Sequence, residues 1–269
     1  MTTNTLTLKA LPLDVVKNRA PQAFAKTAAP SVSNRYTFLS TERIIEDMGK
    51  LGWQVCDAKS KRGRKQVSNE FGNHIVKFFH PEVYIKDGEG NKEAYINILV
   101  MNSHNGVGSF RLEAGIFRLV CSNGLVIKDK DMGTFKIRHS GYSFEQLQNV
   151  LSTLTESLPQ VAEKITVYSN KLMTEEQQYS FAENALKLRN GGREATKEEI
   201  ESVLISRRDE DNGDDLWKVL NRVQESILGG GNLVVGSNGK LRRARGIKNI
   251  EKDLQLNQAI WELSTQYAN

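Results

Sequence analysis

The apolar positions change period about halfway along the chain, and that change predicts the architecture. Thr41 precedes Ile44, Ile45, Met48 and Leu51 at helical spacing and Gly52 follows, which predicts a short capped helix. A strand is expected around His74 to Phe79. Tyr95 to Asn102 then alternates, with Ile96, Ile98 and Val100 on one face, and Asn105-Gly106 follows as a hairpin signal because both residues tolerate positive φ. On the return strand Phe110, Leu112, Ala114 and Ile116 alternate with Arg111 and Glu113. The apolar parity next passes to Phe117, Leu119 and Cys121, and a switch beside Gly115 predicts a bulge or bend. Asn123-Gly124 marks a further turn, and Thr134 to His139 reads as one more strand.

From Ser143 the period is helical. Ser143 with Gln146 forms a capping-box pattern, and Phe144, Leu147, Leu151, Leu154, Leu158, Val161 and Ile165 follow at spacings of three and four. Pro159 kinks or divides that helix. Further helices are expected at 174–190, 196–205, 214–228 and about 248–267. Leu216, Leu220, Val223 and Ile227 form one stripe, and Gly229-Gly230-Gly231 stops that helix. Strands first and helices after predict an α+β fold, an antiparallel β-meander packed against helices with a helical C-terminal half. Residues 1–33, which hold three of the five prolines, read as a poorly ordered or extended arm with a short helix around Leu13 to Arg19. Residues 34–269 read as a single domain, β-rich over 53–140 and helical over 141–269.

Composition narrows the setting more than the chemistry. At 39% hydrophobic and 26% charged residues the balance is that of an ordinary globular protein. The longest uncharged apolar run, Ile96 to Met101, is too short to span a bilayer, and Met1-Thr2-Thr3-Asn4 does not open a secretory signal. Cys56 and Cys121 are two thiols in a long chain, which points to a reducing cytoplasm. The net charge of +5 permits a polyanionic partner without requiring one.

The positions of the charges matter more than their sum. Lys59, Lys61, Arg62, Arg64 and Lys65 surround Gly63 in what reads as a loop able to neutralise several phosphates. Lys240, Arg242, Arg243, Arg245 and Lys248 form a second cluster, read as a glycine-rich loop entering the last helix. Arg111 and Arg118 sit on predicted strands, where with Tyr95 or Phe117 they would clamp and stack a single strand; pairing to Glu113 is the plainer role. Asp209, Glu210, Asp211, Asp214 and Asp215 form the one carboxylate cluster suited to Mg²⁺, with Asp209, Asp211 and Asp215 as candidate ligands, although Asp214 or Asp215 also suits a helix N-cap and Arg207 and Arg208 stand ready as ion partners. His74, His80, His104 and His139 are scattered and no zinc spacing occurs. His104, before the hairpin turn, reads as a turn-stabilising residue rather than a catalytic one, while Asn221, Arg222 and Gln224 suit either base reading or helix cross-linking.

Several segments together resemble a phage- and plasmid-encoded family of unknown function. They are Ser103-His104-Asn105-Gly106, Phe117 to Leu125, Arg207 to Asp211, Asp215-Leu216-Trp217, Asn221 to Glu225, Gly229-Gly230, Arg243 to Ile247, Leu256-Asn257 and Trp261-Glu262-Leu263. The resemblance runs from about Arg35 to Tyr267, without the long appended domain found in that family, and implies a mobile-element origin in a bacterial host but no reaction. The order of elements is also broadly similar to that of phage single-strand annealing proteins of the Redβ and Erf type, which implies a homo-oligomer. The expectation is therefore a nucleic-acid-binding protein, for DNA rather than RNA, acting on single strands in replication or recombination. A protein-binding anti-defence or regulatory factor with a host partner is the alternative, and a metal-dependent nuclease ranks below it. No catalytic residue, cofactor or membrane partner is expected.

Overall fold

The computed structural model describes residues 8–60, 70–86, 92–108, 110–118, 124–126, 135–136, 142–236 and 238–268. The fold is α+β, with an antiparallel meander first and helices after it. The chain divides into two compact units, Met1–Leu119 with Lys130–Leu158, and Val120–Asp129 with Pro159–Asn269.

In the first unit, helix α1 (Leu13–Arg19) and a 3₁₀ turn at Pro21–Phe24 open the described chain. Val16, Ala20, Ala23 and Phe24 are buried, and the Leu11 amide donates to the Val55 carbonyl at 2.7 Å, so residues 8–33 contribute apolar side chains to the core. Helix α2 (Thr41–Lys50) is capped by Ser40, whose hydroxyl accepts the Arg43 amide. Thr41, the residue expected to start it, is buried and bonded elsewhere. Gly52 ends the turn at φ +83°, a conformation that favours glycine, and a Cβ there would lie 2.4 Å from His80 Nε2, so the His80 ring would have to shift to admit one.

Strands β1 (Gln54–Ser60), β2 (His74–Lys86), β3 (Lys92–Asn102) and β4 (Arg111–Arg118) pair antiparallel in chain order, and β6 (Phe135–Lys136) pairs with the start of β4. Strand β1 has no clear signal in the sequence. A register shift between Val55 and Asp57 breaks its alternation, and Asp57 and Lys59 dilute its apolar content. Both faces of β3 are buried, with Ile96, Ile98 and Val100 on one and Tyr95, Leu99 and Met101 on the other. The bulge expected at Gly115 is absent from the β3–β4 ladder, which runs unbroken from Ala94↔Arg118 to Met101↔Arg111. A strand beside a neighbour buried on both faces need not keep apolar residues on one parity. The hairpin between β3 and β4 is a loop of residues 103–110 with Gly106 at φ +74°, not a two-residue turn. Helix α3 (Phe144–Glu156) closes the unit, capped by Ser143 and burying Leu147, Leu151 and Leu154.

The predicted long helix is divided at Ser157, where Pro159 opens α4 (Leu158–Asn170). The second unit continues with α5 (Glu175–Arg189), α6 (Lys197–Leu204), α7 (Leu216–Gly229), a hairpin of β7 (Gly230–Val235) and β8 (Leu241–Arg245), and α8 (Ile250–Ala268). The short strand β5 (Gly124–Val126) belongs here too and lies beside α8. Full capping boxes start α5 at Thr174 with Gln177 and α6 at Thr196 with Glu199. Helix α7 is the axis of this unit, with every residue from Leu216 to Leu228 except Lys218 buried against α5, α6 and α8. Removing that much apolar surface from water is the main force holding the unit together.

Of the remaining expectations, Cys121, Asn123, His139, and Lys61, Arg62, Arg64 and Lys65 lie outside the described residues.

Candidate nucleic-acid interface

The sequence pattern places a helix stop at Gly229-Gly230-Gly231 and a basic loop after it. The helix does stop there, but a strand pair takes the place of the loop. Gly230 adopts φ +80°, and a Cβ there would lie 2.4 Å from the Gly246 amide nitrogen and 2.6 Å from the Arg245 carbonyl carbon. The glycine lets the end of β8 press directly onto the end of α7. Strand register pairs Leu233 with Arg243, Val234 with Arg242 and Val235 with Leu241. Only Ala244 of β8 is buried. The sequence Leu-Arg-Arg-Ala-Arg has one small apolar residue facing inward, too little for a periodic signal.

The hairpin therefore carries its cations outward. Lys240, Arg242, Arg243, Arg245 and Lys248 are all exposed, and among the described residues none lies within ion-pair distance of a carboxylate. Arg243 Nη1 donates to the Gly231 carbonyl at 2.8 Å, and Arg207 Nη2 donates to the Gly230 carbonyl at 2.7 Å, so the strand crossing is tied on both sides. Arg242 and Arg245 also line a cleft of about 470 Å³ with Arg189, Asn190 and Arg193. Arg193 is bidentate on Glu199, at 2.6 and 3.1 Å, and Glu199 Oε1 accepts the Val235 amide at 2.8 Å. Arg189 Nη2 donates to the Arg245 carbonyl at 2.8 Å, and burial lowers that guanidinium from its ordinary value. Arg189 and Arg193 are not singled out by the sequence reading. The signal is present in Arg189-Asn190-Gly191-Gly192-Arg193, where two glycines lie between arginines.

The other candidates fall apart chemically. Lys59, the one described member of the first cluster, is exposed with its Nζ 3.7 Å from Asp57 Oδ2. Arg111 lies 3.9 Å from Glu113 Oε1, the plainer of its two expected roles, and Arg118 stands at the opposite end of β4. Asp215 caps α7 by accepting the Lys218 amide at 3.0 Å and is paired to Lys218 Nζ at 3.2 Å. Asp211 is buried 3.9 Å from Arg208, Asp209 is exposed, and no group of three metal-ligating side chains converges among the described residues. Asn221, Arg222 and Gln224 are buried; Asn221 donates to the Trp217 carbonyl one turn back in α7, while Arg222 and Gln224 cross-link helices. Arg222 donates to the Gln178 side chain at 2.5 Å and the Gly213 carbonyl at 2.8 Å, and Gln224 donates to Asn257 at 2.7 Å.

Ser103-His104-Asn105-Gly106 is a structural clamp. The Ser103 hydroxyl accepts the Gly108 amide at 3.0 Å, the Ala29 amide donates to the His104 carbonyl at 2.8 Å, and the Tyr36 hydroxyl donates to the Ser103 carbonyl at 2.9 Å. The His104 ring is fully buried against Phe38 and His74. Beside it runs a relay in which Asn102 Nδ2 donates to Thr41 Oγ1 at 2.9 Å, Thr41 Oγ1 donates to His74 Nε2 at 2.8 Å, and His74 Nδ1 donates to the Gly72 carbonyl at 3.0 Å. This arrangement needs a neutral imidazole, and burial brings the His74 pKa down to about 4. Burial likewise pushes the Cys56 thiol up to about 12, away from the thiolate that metal binding requires.

The fold is thus an α+β chain that carries an outward-facing cationic hairpin on its helical unit. By its sequence the chain belongs to the family described as "Domain of unknown function (DUF932)", whose model matches residues 29–261. It is similar to the UPF0380 protein YafZ and the UPF0380 protein YfjQ of Escherichia coli (strain K12). Each is 28% identical to it over 245 residues, covering 91% of this chain and 86% of the relative. No solved structure matches it. Among the described residues no helix is long and apolar enough to cross a membrane.

Proposed function

We propose that the protein binds nucleic acid through the phosphate backbone, using the outer face of the β7–β8 hairpin. The carrying observation is that Lys240, Arg242, Arg243, Arg245 and Lys248 face solvent with no carboxylate at ion-pair distance among the described residues. Like charges held together without counter-charges repel one another, and a polyanion relieves that repulsion while releasing its own condensed counterions. The rigid hairpin supplies preorganisation, since Arg243 and Arg207 fix its base. A surface that acts by neutralising phosphates recognises backbone rather than sequence. The mobile-element resemblance makes DNA exposed as a single strand during replication or recombination the preferred partner. Fluorescence anisotropy with labelled single- and double-stranded oligonucleotides at low salt tests the proposal. Binding of the single strand with little sequence preference is expected. Absence of any shift at low salt would overturn it and leave a protein partner as the explanation of the exposed charge.

A further inference from the structure

The cleft beside the hairpin concentrates more positive charge than a single phosphodiester group carries. Four guanidinium groups from two stretches of chain line it, Arg189 and Arg193 from the end of α5 and the loop after it, Arg242 and Arg245 from β8. Arg193 is compensated by Glu199, which is fully buried and held by the Thr196 and Val235 amides. Arg189, Arg242 and Arg245 have no carboxylate within ion-pair distance among the described residues. Their geometry is partly fixed in advance, because the Arg189 side chain is anchored on the Arg245 carbonyl. Two donors of the residues lining it, Arg189 Nη1 and Asn190 Nδ2, are buried with no acceptor among the described residues. Buried donors without acceptors are uncommon and mark a place where a further acceptor belongs.

A phosphodiester brings one negative charge, whereas a phosphomonoester brings about −1.5 to −2 at neutral pH and three terminal oxygens. Guanidinium forks match such oxygens two at a time. We propose that the cleft is a phosphomonoester site that seats the terminal phosphate of a nucleic-acid strand, with the strand continuing along the exposed face of β8. This rests on the nucleic-acid reading above and extends it from a surface that tracks backbone to one that marks a strand end. The valines and alanine completing the wall, Val234, Val235 and Ala244, give the adjoining sugar an apolar surface. A free nucleoside monophosphate shares the same chemistry, so the test must separate the two sources.

The test uses the full chain and matched oligonucleotides that differ only in carrying a 5′-phosphate, a 3′-phosphate or hydroxyl ends, read by anisotropy competition. A parallel calorimetric titration uses a nucleoside monophosphate and the corresponding nucleoside. One phosphorylated end is expected to bind roughly ten- to a hundredfold more tightly than the hydroxyl end, the range of a few charge-assisted hydrogen bonds. Arg189→Gln and Arg242→Gln should each abolish that preference. Arg243→Gln, which lies outside the cleft, should weaken all oligonucleotides alike and keep the preference. Because Arg189 also braces the hairpin, Arg242→Gln decides the matter if the Arg189 variant unfolds. Measurable binding with equal affinity for phosphorylated and hydroxyl ends would overturn the proposal and leave backbone binding intact. Binding of the monophosphate alone, lost in Arg242→Gln, would overturn the strand-end assignment in favour of a nucleotide site. Binding of none of the probes would overturn this proposal and the nucleic-acid reading together.

Discussion

Two sets of arginines in the second unit do opposite work. Arg208 and Arg222 face inward. Arg208 pairs with Glu225 and lies 3.9 Å from Asp211, and Arg222 bonds Gln178 and the carbonyls of Asp211 and Gly213. On the hairpin, Arg242 and Arg245 face outward with no carboxylate at hand among the described residues. In sequence Arg208 stands beside acids and Arg222 beside Asn221, whereas Arg242 and Arg245 belong to a basic cluster. The difference is whether acids are folded back onto them. Where they are, charge is spent on holding helices in register. Where they are not, the charge faces solvent, and under the proposed function it is this charge that meets phosphates.

That contrast can be broken by substitution. Arg222→Ala strips a buried network of its central donor and leaves neighbouring acids in a poor dielectric. It should cost about 3–5 kcal/mol of unfolding free energy, measured by urea denaturation. A loss no larger than that of an exposed arginine would show that the inward set is not structural.

Acid should act on the first unit through His74. Its folded pKa of about 4 lies below the unfolded value of about 6.5, so below pH 6.5 the unfolded chain takes up a proton that the folded chain refuses. Unfolding free energy should therefore fall with pH between about 6.5 and 4, by a total of about 3 kcal/mol, and level off below that as far as this group is concerned. His74→Gln should flatten that part of the profile; an unchanged profile would remove the relay from the account.

Gly230→Ala should cost about 1–3 kcal/mol, because φ +80° with ψ −168° is open essentially to glycine alone. It should also loosen the hairpin and weaken nucleic-acid binding, which links the fold to the proposed site. Smallest of all, Arg242→Ala with Lys240→Ala should change stability by less than about 0.5 kcal/mol. If that pair destabilised the protein as much as Arg222→Ala, the contrast between the two sets would collapse.

Much of the fold was legible because its signals are local. Helices α5, α6 and α7 follow from caps at Thr174, Thr196 and Asp215 and from the spacing of Leu216, Leu220, Val223 and Ile227, and α8 from the spacing of Ile250, Leu254 and Trp261. The central strands follow from alternation, and the split at Pro159 from the missing amide. Strands β1, β7 and β8 were not legible, since each is stabilised by pairing rather than by its own pattern. A bulge interrupts β1 and a register shift follows Gly230 in β7. The candidate site was half legible. Composition gave the cations of β8, but their freedom from carboxylates depends on which acids fold back where. Arg189 and Arg193 join Arg242 and Arg245 across more than forty residues of chain, a proximity that no spacing rule contains.

The central claim is that the outward arginines bind phosphates, and the salt dependence of binding tests it most directly. For the wild-type chain, log affinity for a single-stranded oligonucleotide should fall linearly with log salt concentration. The Arg242→Ala, Arg245→Ala double variant should lower that slope by about two while remaining folded. A slope unchanged by these substitutions, or no binding of the wild type at low salt, would contradict the account.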